Sequence, residues 1–113
     1  MKILFVTDQY AQGGLETHLA TYFEFLKNSG HKVYFASKLL DPRSYETGCR
    51  PHIETFFSLN ETGFAPENVL PIADELRNIA RTEKIDLIHA HPFLSYYAAY
   101  LTAVTENLPM VMT

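Results

Sequence analysis

The sequence contains a single cysteine, Cys49, and lacks any long hydrophobic run. One cysteine excludes an intrachain disulfide and a metal site built from several thiolates. No apolar stretch approaches the roughly 20 residues that a membrane-spanning helix requires. Lys2 is followed by only four strongly apolar residues, which are too few for the apolar segment of a signal peptide. These absences predict a cytoplasmic protein.

Basic residues are also scarce, since nine lysines and arginines are outnumbered by thirteen acidic residues and the net charge is −4. The lysines and arginines form no basic run, whereas binding to nucleic acid depends on clustered positive charges that neutralise phosphates. We therefore expect no nucleic-acid partner.

The chain has the size and composition of one globular domain. Its 113 residues are enough for a single hydrophobic core. A hydrophobic content of 47% with 19% charged residues argues against disorder. No internal repeat or linker-like stretch divides the sequence, so residues 1–113 are treated as one domain.

The first 36 residues predict a strand, a helix and a second strand. Residues 2–6 form a continuous apolar run, which is typical of a strand buried on both faces. Residues 32–36 are the second strand, and a crossover between two such strands is right-handed. The intervening helix can close at Gly30, and its apolar residues recur at helical spacing: Leu15, Leu19, Tyr22, Phe23 and Leu26.

The middle of the chain is expected to be mostly irregular. Prolines and glycines interrupt residues 38–67, with one possible strand at residues 52–57. From residue 67 a helix is predicted, with an apolar stripe made of Val69, Ile72, Ala73, Leu76, Ile79 and Ala80.

The last third predicts two short strands with a helix between them. Residues 85–89 and residues 110–112 are the strands. Pro92 suits the first turn of the helix. Its buried side is predicted to consist of Phe93, Tyr97, Tyr100, Leu101 and Val104.

Alternating strands and helices predict an α/β fold with a Rossmann-like, doubly wound, mostly parallel sheet. In such sheets a ligand binds beyond the carboxyl ends of the strands, where the strand order reverses. If the first three strands extend to one side, the first strand neighbours the strand that ends at His89. Gly13 and Gly14 would then face residues 89–91 across the crevice.

The loop after the first strand supplies three candidate binding residues. Gly13 and Gly14 allow a ligand to approach the backbone closely, although paired glycines also serve simple turn geometry. Glu16 could accept a hydrogen bond from a sugar hydroxyl or could only complement the helix dipole.

Two histidines supply the opposite wall of the predicted crevice. His91 precedes Pro92, where the helix dipole would favour a neutral imidazole able to bind a substrate oxygen, and a purely capping role is the alternative. His89 lies nearer the strand, so a supporting role is predicted for it. Two histidines without a third ligand do not make a metal site, and none is predicted.

Taken together, these motifs resemble the amino-terminal domain of family 4 glycosyltransferases, which are retaining enzymes with the GT-B fold. The matching segments are residues 3–6, Gly13-Gly14-x-Glu16, residues 85–91 and residues 108–113, in the family's order. The resemblance implies a domain that mainly binds the acceptor. It places the glycine loop near the donor phosphates and His91 beside the transferred sugar. It also implies catalysis without a metal and no cofactor, with a UDP- or GDP-linked sugar as co-substrate.

The family's second Rossmann-like domain, which binds most of the sugar nucleotide and carries a Glu-x7-Glu motif, cannot fit in 113 residues. We therefore expect no appreciable transferase activity from this chain alone, and whether it is itself an enzyme stays open. The expected partners are a sugar nucleotide, a hydroxyl acceptor, and either the absent carboxy-terminal domain or a self-associated copy. Peripheral contact with the inner face of a membrane also stays open, although the net negative charge disfavours it.

The sequence is also compatible with two other kinds of protein. The chain could be a non-catalytic binding or assembly module that keeps the Rossmann-like fold. A nucleotide-binding Rossmann protein is a weaker interpretation, because Gly13-Gly14 does not complete the Gly-x-Gly-x-x-Gly fingerprint.

Overall fold

The computed structural model describes residues 1–10, 14–39, 42–59, 66–91 and 94–113. Within these ranges strands alternate with helices along the chain: β1 (Lys2–Tyr10), α1 (Gly14–Asn28), β2 (Lys32–Leu39), α2 (Pro42–Gly48), β3 (Thr55–Ser58), α3 (Val69–Glu83), β4 (Leu87–Ala90), α4 (Leu94–Glu106) and β5 (Met110–Met112). Two short 3-10 turns, Arg50–His52 and Pro66–Asn68, precede β3 and α3.

The five strands form one parallel sheet in the order β3-β2-β1-β4-β5. This confirms the predicted α/β, Rossmann-like, doubly wound architecture. β1 lies between β2 and β4, so the strand order reverses between β1 and β4 as predicted. The register pairs Phe5 with both Phe35 and His89, and Val6 with Ala90. Because all strands are parallel, their carboxyl ends meet at one edge of the sheet.

The sheet is covered on both faces, which explains the continuous apolar run at the start of β1. On one side, here called the α3 face, Leu4, Val6 and Ile88 pack against α3 and α4. On the other, here called the α1 face, Phe5 and Phe35 pack against α1 and α2. Successive strand residues point to opposite faces, so both sets come from the same strands.

The ends of α1 and α3 follow their sequence signals. Gly30 lies two residues beyond α1 with a φ of +90°, a left-handed conformation that glycine adopts without a Cβ clash. Lys84 closes α3 in the same region of backbone space with a φ of 56°. The buried stripe of α3 is confirmed for Ile72, Leu76 and Ile79.

Residues 42–48 correct the prediction of an irregular middle segment, because they form α2. Proline at the first position of a helix is favourable, since its missing N–H would have no partner within the helix. The helix packs through Tyr45 onto the α1 face, and Cys49, the residue after it, is buried in the same cluster. The strand predicted at residues 52–57 begins three residues later and ends one residue later, as β3 (Thr55–Ser58).

The predicted buried side of α4 is wrong for three of its residues. Tyr97, Tyr100 and Val104 are 56%, 52% and 60% exposed. The residues that face the sheet and α3 are instead small, namely Ala98, Ala99, Thr102 and Ala103. Their size lets α4 approach α3 closely, and the Thr102 hydroxyl donates a hydrogen bond to the Ala73 carbonyl of α3 at 3.3 Å. Leu101 is partly buried, and Phe93 lies outside the described residues.

Among the helices that the structure describes, none combines the length and the apolar character needed to cross a membrane.

Candidate functional site

The carboxyl ends of β1 and β4 form the floor of the candidate site. The His91 amide donates a hydrogen bond to the Val6 carbonyl at 3.0 Å, so His91 continues the β1–β4 pairing just beyond β4. α1 begins at Gly14, four residues after β1 ends, at the same edge of the sheet. Gly13 lies outside the described residues, as does the side chain of Glu16.

The imidazole rings of His89 and His91 lie side by side on the α1 face. Their centroids are 5.3 Å apart and their planes differ by only 12°. Alternate residues of a strand point to the same face, which explains why both rings face the same way. The Phe5 ring stacks against His89 at 4.5 Å and lies 6.4 Å from His91. The two histidines are therefore held as a parallel pair by a buried phenylalanine.

Helix α1 adds two residues that the sequence interpretation missed as parts of the site. Tyr22 makes edge contacts with Phe5 at 5.6 Å and with His89 at 5.8 Å. His18, one turn earlier, lies 6.0 Å from Tyr22 and is exposed. The signal was present in their spacing of four, which places both on one side of the helix that opens from the glycine loop.

Burial controls the charge of the histidine pair. His91 is only 4% exposed. Its burial lowers its pKa to about 4, with smaller contributions from the positive charge that His89 and His18 can carry. Burial also lowers the pKa of His89, again with a contribution from His18. His91 is therefore neutral at pH 7, as the sequence predicted. Burial is the main cause, whereas the prediction invoked the dipole of α4.

A hydrogen bond with Thr113, the residue after β5, fixes one nitrogen of His89. The His89 Nε2 and Thr113 Oγ1 atoms are 2.6 Å apart. The Thr113 amide also donates to the Ala90 carbonyl at 3.2 Å, which holds Thr113 beside β4. These contacts support a structural role for His89. The alternative role of His91 as a helix cap involves Pro92 and Phe93, which lie outside the described residues.

A second buried polar pair lies on β1 and β2, directly after the apolar residues of each strand. The Thr7 hydroxyl donates a hydrogen bond to the Ser37 hydroxyl at 2.7 Å, and both side chains are buried. Asp8 follows and is also buried. The sequence signal was the change from apolar to polar residues at the same level of two neighbouring strands. This pair extends the polar floor of the site from β4 across β1 to β2.

In the described part of the chain, no three histidine, cysteine or acidic residues gather as metal ligands would. The side chains that the site does bring together are a stacked pair of imidazoles and two neighbouring hydroxyl groups. Such groups donate and accept hydrogen bonds, which suits recognition of a polyhydroxylated ligand.

Solved structures with the same fold include a glycosyltransferase, a UDP-GlcNAc 2-epimerase and MurG. A glycosyltransferase from Rickettsia africae superposes with a TM-score of 0.74 at 17% identity, over 97% of this chain and 28% of that one. A UDP-GlcNAc 2-epimerase from Methanocaldococcus jannaschii gives 0.77 at 14% identity, over 100% and 31%. MurG from Acinetobacter baumannii gives 0.74 at 12% identity, over 98% and 34%. This chain thus spans about a third of the length of these relatives.

Comparison with curated proteins gives no match. The family model for Glycosyltransferase Family 4, in contrast, matches residues 12–113. That match covers both walls of the candidate site and nearly the whole chain. The chain belongs to Glycosyltransferase Family 4, and its predicted resemblance to the amino-terminal domain of GT-B enzymes is confirmed.

Proposed function

We propose that the chain is the acceptor-binding half of a retaining glycosyltransferase that transfers a sugar from a UDP- or GDP-linked donor to a hydroxyl group. In this reaction the bond from the anomeric carbon to the diphosphate oxygen breaks. A bond from that carbon to the acceptor oxygen forms, and the hydroxyl proton is released. The family supports the reaction class. One observation supports the proposed position of the site: the parallel imidazoles of His89 and His91 lie where the strand order reverses.

In this proposal His91 is the residue that contacts the reacting sugar. Its pKa of about 4 keeps the imidazole uncharged at pH 7. A neutral imidazole offers one donor and one acceptor, so it can bind a sugar hydroxyl or the departing diphosphate through a hydrogen bond. Such a bond is stronger in a site that excludes water than at an open surface. His89 supports the ring of His91 from behind.

The amino end of α1 is the proposed position of the donor diphosphate. Helix amino termini attract anions because their first backbone N–H groups have no partner within the helix. Gly13 and Gly14 would permit close approach of the ligand, and Glu16 would accept a hydrogen bond from a sugar hydroxyl. The nucleotide sugar is a co-substrate, and the proposal uses no metal or other cofactor.

In this proposal a second Rossmann-like domain makes most of the contacts to the donor. That domain would belong either to the same polypeptide or to a separate molecule. One wall of a cleft neither closes over the substrates nor excludes water. The 113-residue chain is therefore expected to show no appreciable transferase activity alone. An acceptor carried on a lipid would be met at the membrane surface.

Affinity for nucleotide sugars tests this proposal. Calorimetric titration of the chain with UDP-glucose and GDP-mannose should reveal binding of one of them, on the order of 1 mM for a half-site. His91→Ala should weaken that binding at least about fivefold, which corresponds to the loss of roughly 1 kcal/mol of hydrogen bonding. His52→Ala, in the turn at the opposite edge of the sheet, is the matched control and should bind like wild type. Equal affinity of His91→Ala and wild type would refute the proposed role of His91.

The alternative function, a non-catalytic assembly module, is favoured by a different observation. Tyr97, Tyr100 and Val104 are exposed on α4, and Val111 and Met112 are exposed on the neighbouring strand β5. The spacing of Tyr97, Tyr100 and Val104 places them on one side of α4, and exposed apolar groups on a shared surface are typical of protein contact sites.

Sedimentation equilibrium separates the two functions. An assembly module should self-associate at micromolar concentration, and Tyr100→Glu should abolish that association. A monomeric chain that binds a nucleotide sugar through His91 supports the transferase half.

A further inference from the structure

Tyr22 belongs to the apolar stripe of α1, yet it is 36% exposed and its ring contacts His89 of the histidine pair. We infer that Tyr22 is a positioning residue of the proposed site, which holds the His89 imidazole against Phe5 and Thr113 and thereby fixes the ring of His91. The expected effect of Tyr22 on ligand binding rests on the proposed function. Its effect on the position of His89 does not, because it follows from ring contacts between described residues.

Four contacts surround the His89 ring and restrict different movements. Stacking on Phe5 at 4.5 Å fixes the tilt of the ring plane. The hydrogen bond to Thr113 at 2.6 Å fixes its rotation within that plane. His91 lies along one side at 5.3 Å. Tyr22 meets His89 nearly at a right angle, with an interplanar angle of 80°, and so blocks movement away from the sheet.

Tyr22 is itself held on both sides. It contacts Phe5 at 5.6 Å with an interplanar angle of 68°, an edge-to-face arrangement that aromatic rings favour. One turn earlier on α1, His18 lies 6.0 Å from Tyr22 on the solvent side. A buried ring and an exposed ring therefore bracket Tyr22, and its position over His89 follows from the packing of α1.

The effect on His91 passes through His89. The two imidazole planes differ by 12°, so the His89 ring acts as a wall that defines the orientation of the His91 ring. Loss of Tyr22 would free the outer side of His89 and admit water there. His91 would then lose a fixed neighbour, although Tyr22 need not contact any ligand.

The contacts of Tyr22 with Phe5 and His89 are made by its ring. Tyr22→Phe should therefore keep these contacts, whereas Tyr22→Ala should lose them. Phe25 provides a matched control because it is an exposed aromatic residue of the same helix, three positions further on. Phe25→Ala and Tyr22→Ala both remove an aromatic ring from α1, but only Tyr22 lies against His89.

Titration of the imidazole carbons by NMR tests the inference, since it reports on the folded protein and needs no ligand. Two titratable side chains, Tyr22 and His91, lie in ring contact with His89. Among the described residues, His18 is the group whose charge acts on His89. In Tyr22→Ala, water should reach His89, and its pKa should rise, because the burial that lowers it is relieved. Tyr22→Phe and Phe25→Ala should titrate like wild type. In Tyr22→Ala the affinity for the nucleotide sugar should also fall several-fold, while Tyr22→Phe retains it.

A residue that only stabilises the fold would give a different result. Tyr22→Ala would then lower the melting temperature but leave the His89 and His91 titrations unchanged, and this outcome would overturn the inference. If Tyr22→Ala does not fold, Tyr22→Leu removes the ring but keeps part of the apolar bulk. It should still raise the pKa of His89, by less than alanine would, and no rise at all would overturn the inference. Failure of the wild-type chain to bind any nucleotide sugar would count against the proposed function and leave the titration result decisive for Tyr22.

Discussion

The two faces of the sheet have different chemistry. The α3 face is mainly aliphatic, with Leu4, Val6 and Ile88 packed against Leu76 and the small residues of α4. The α1 face is crossed by a series of ring contacts that ends at the histidines. In order along that series the rings are Tyr45, Phe56, Phe35, Phe23, Phe5, His89 and His91.

The two faces of the sheet therefore have different roles: one mainly stabilises the domain, and the other also holds the side chains of the candidate site. The layer on the α3 face excludes water, and its buried cluster, among the described residues, contains no histidine. An aromatic layer also excludes water, but it can hold imidazoles in defined orientations through stacking and edge contacts. The candidate site therefore lies on the α1 face, and the α3 face is expected to contribute stability alone.

The largest expected effect tests the α3 face. Leu76→Ala removes a fully buried side chain from the aliphatic layer and should lower the free energy of unfolding by about 3 to 4 kcal/mol, from lost burial and the cavity left behind. Urea denaturation measures the loss. Leu70→Ala, at an exposed position of the same helix, should cost less than about 0.5 kcal/mol. Similar losses for the two variants would contradict the assignment of the α3 core.

The α1 face should respond to pH. The pKa of His91 in the folded chain is about 4, below the ordinary value of 6.5, so the unfolded chain binds a proton first as the pH falls. His91 thus contributes stability above pH 6.5 that is lost towards pH 4. Between pH 7.5 and pH 5 the loss should be about 2 kcal/mol.

Urea denaturation at both pH values measures this loss. His91→Gln removes the titrating group, and its stability should fall by correspondingly less over the same range. A parallel decline in wild type and His91→Gln would show that His91 is not the group responsible.

A smaller effect tests the close packing of α4. Ala99→Leu forces extra methyl groups between α4 and its neighbours and should destabilise the chain by about 1.5 kcal/mol. Val104→Leu enlarges an exposed residue of the same helix and should change stability by less than about 0.5 kcal/mol. Thermal unfolding followed by circular dichroism compares the two. A neutral Ala99→Leu would mean that α4 does not pack tightly through its small residues.

The same two helices show how far the sequence could predict the fold. The buried side of α3 was predictable because charged residues such as Asp74 and Arg77 mark its solvent side. α4 has apolar residues on every side, so hydrophobicity could not identify the buried one. Side-chain size decided it, because only alanine and threonine fit between α4, α3 and the sheet. Helix α2 was missed because its proline and glycine ends suggested a loop.

For the candidate site, topology was the predictable part. Parallel strands and a reversal of strand order were enough to bring residues 89–91 to the strand that precedes the glycine loop. The contribution of Tyr22 and His18 depends on where α1 lies across β1 and β4. Sequence periodicity shows which residues share one side of a helix, but not which of them reach a neighbouring strand.

A map of amide chemical shifts shows whether a nucleotide sugar binds beside the histidine pair, because it locates bound ligand without assuming a site. On addition of UDP-glucose or GDP-mannose, we expect the largest changes at Gly14, Tyr22, His89 and His91, with α3 and α4 unaffected. Changes that gather on α4 and β5 and leave His89 and His91 unmoved would contradict the proposed position of the site.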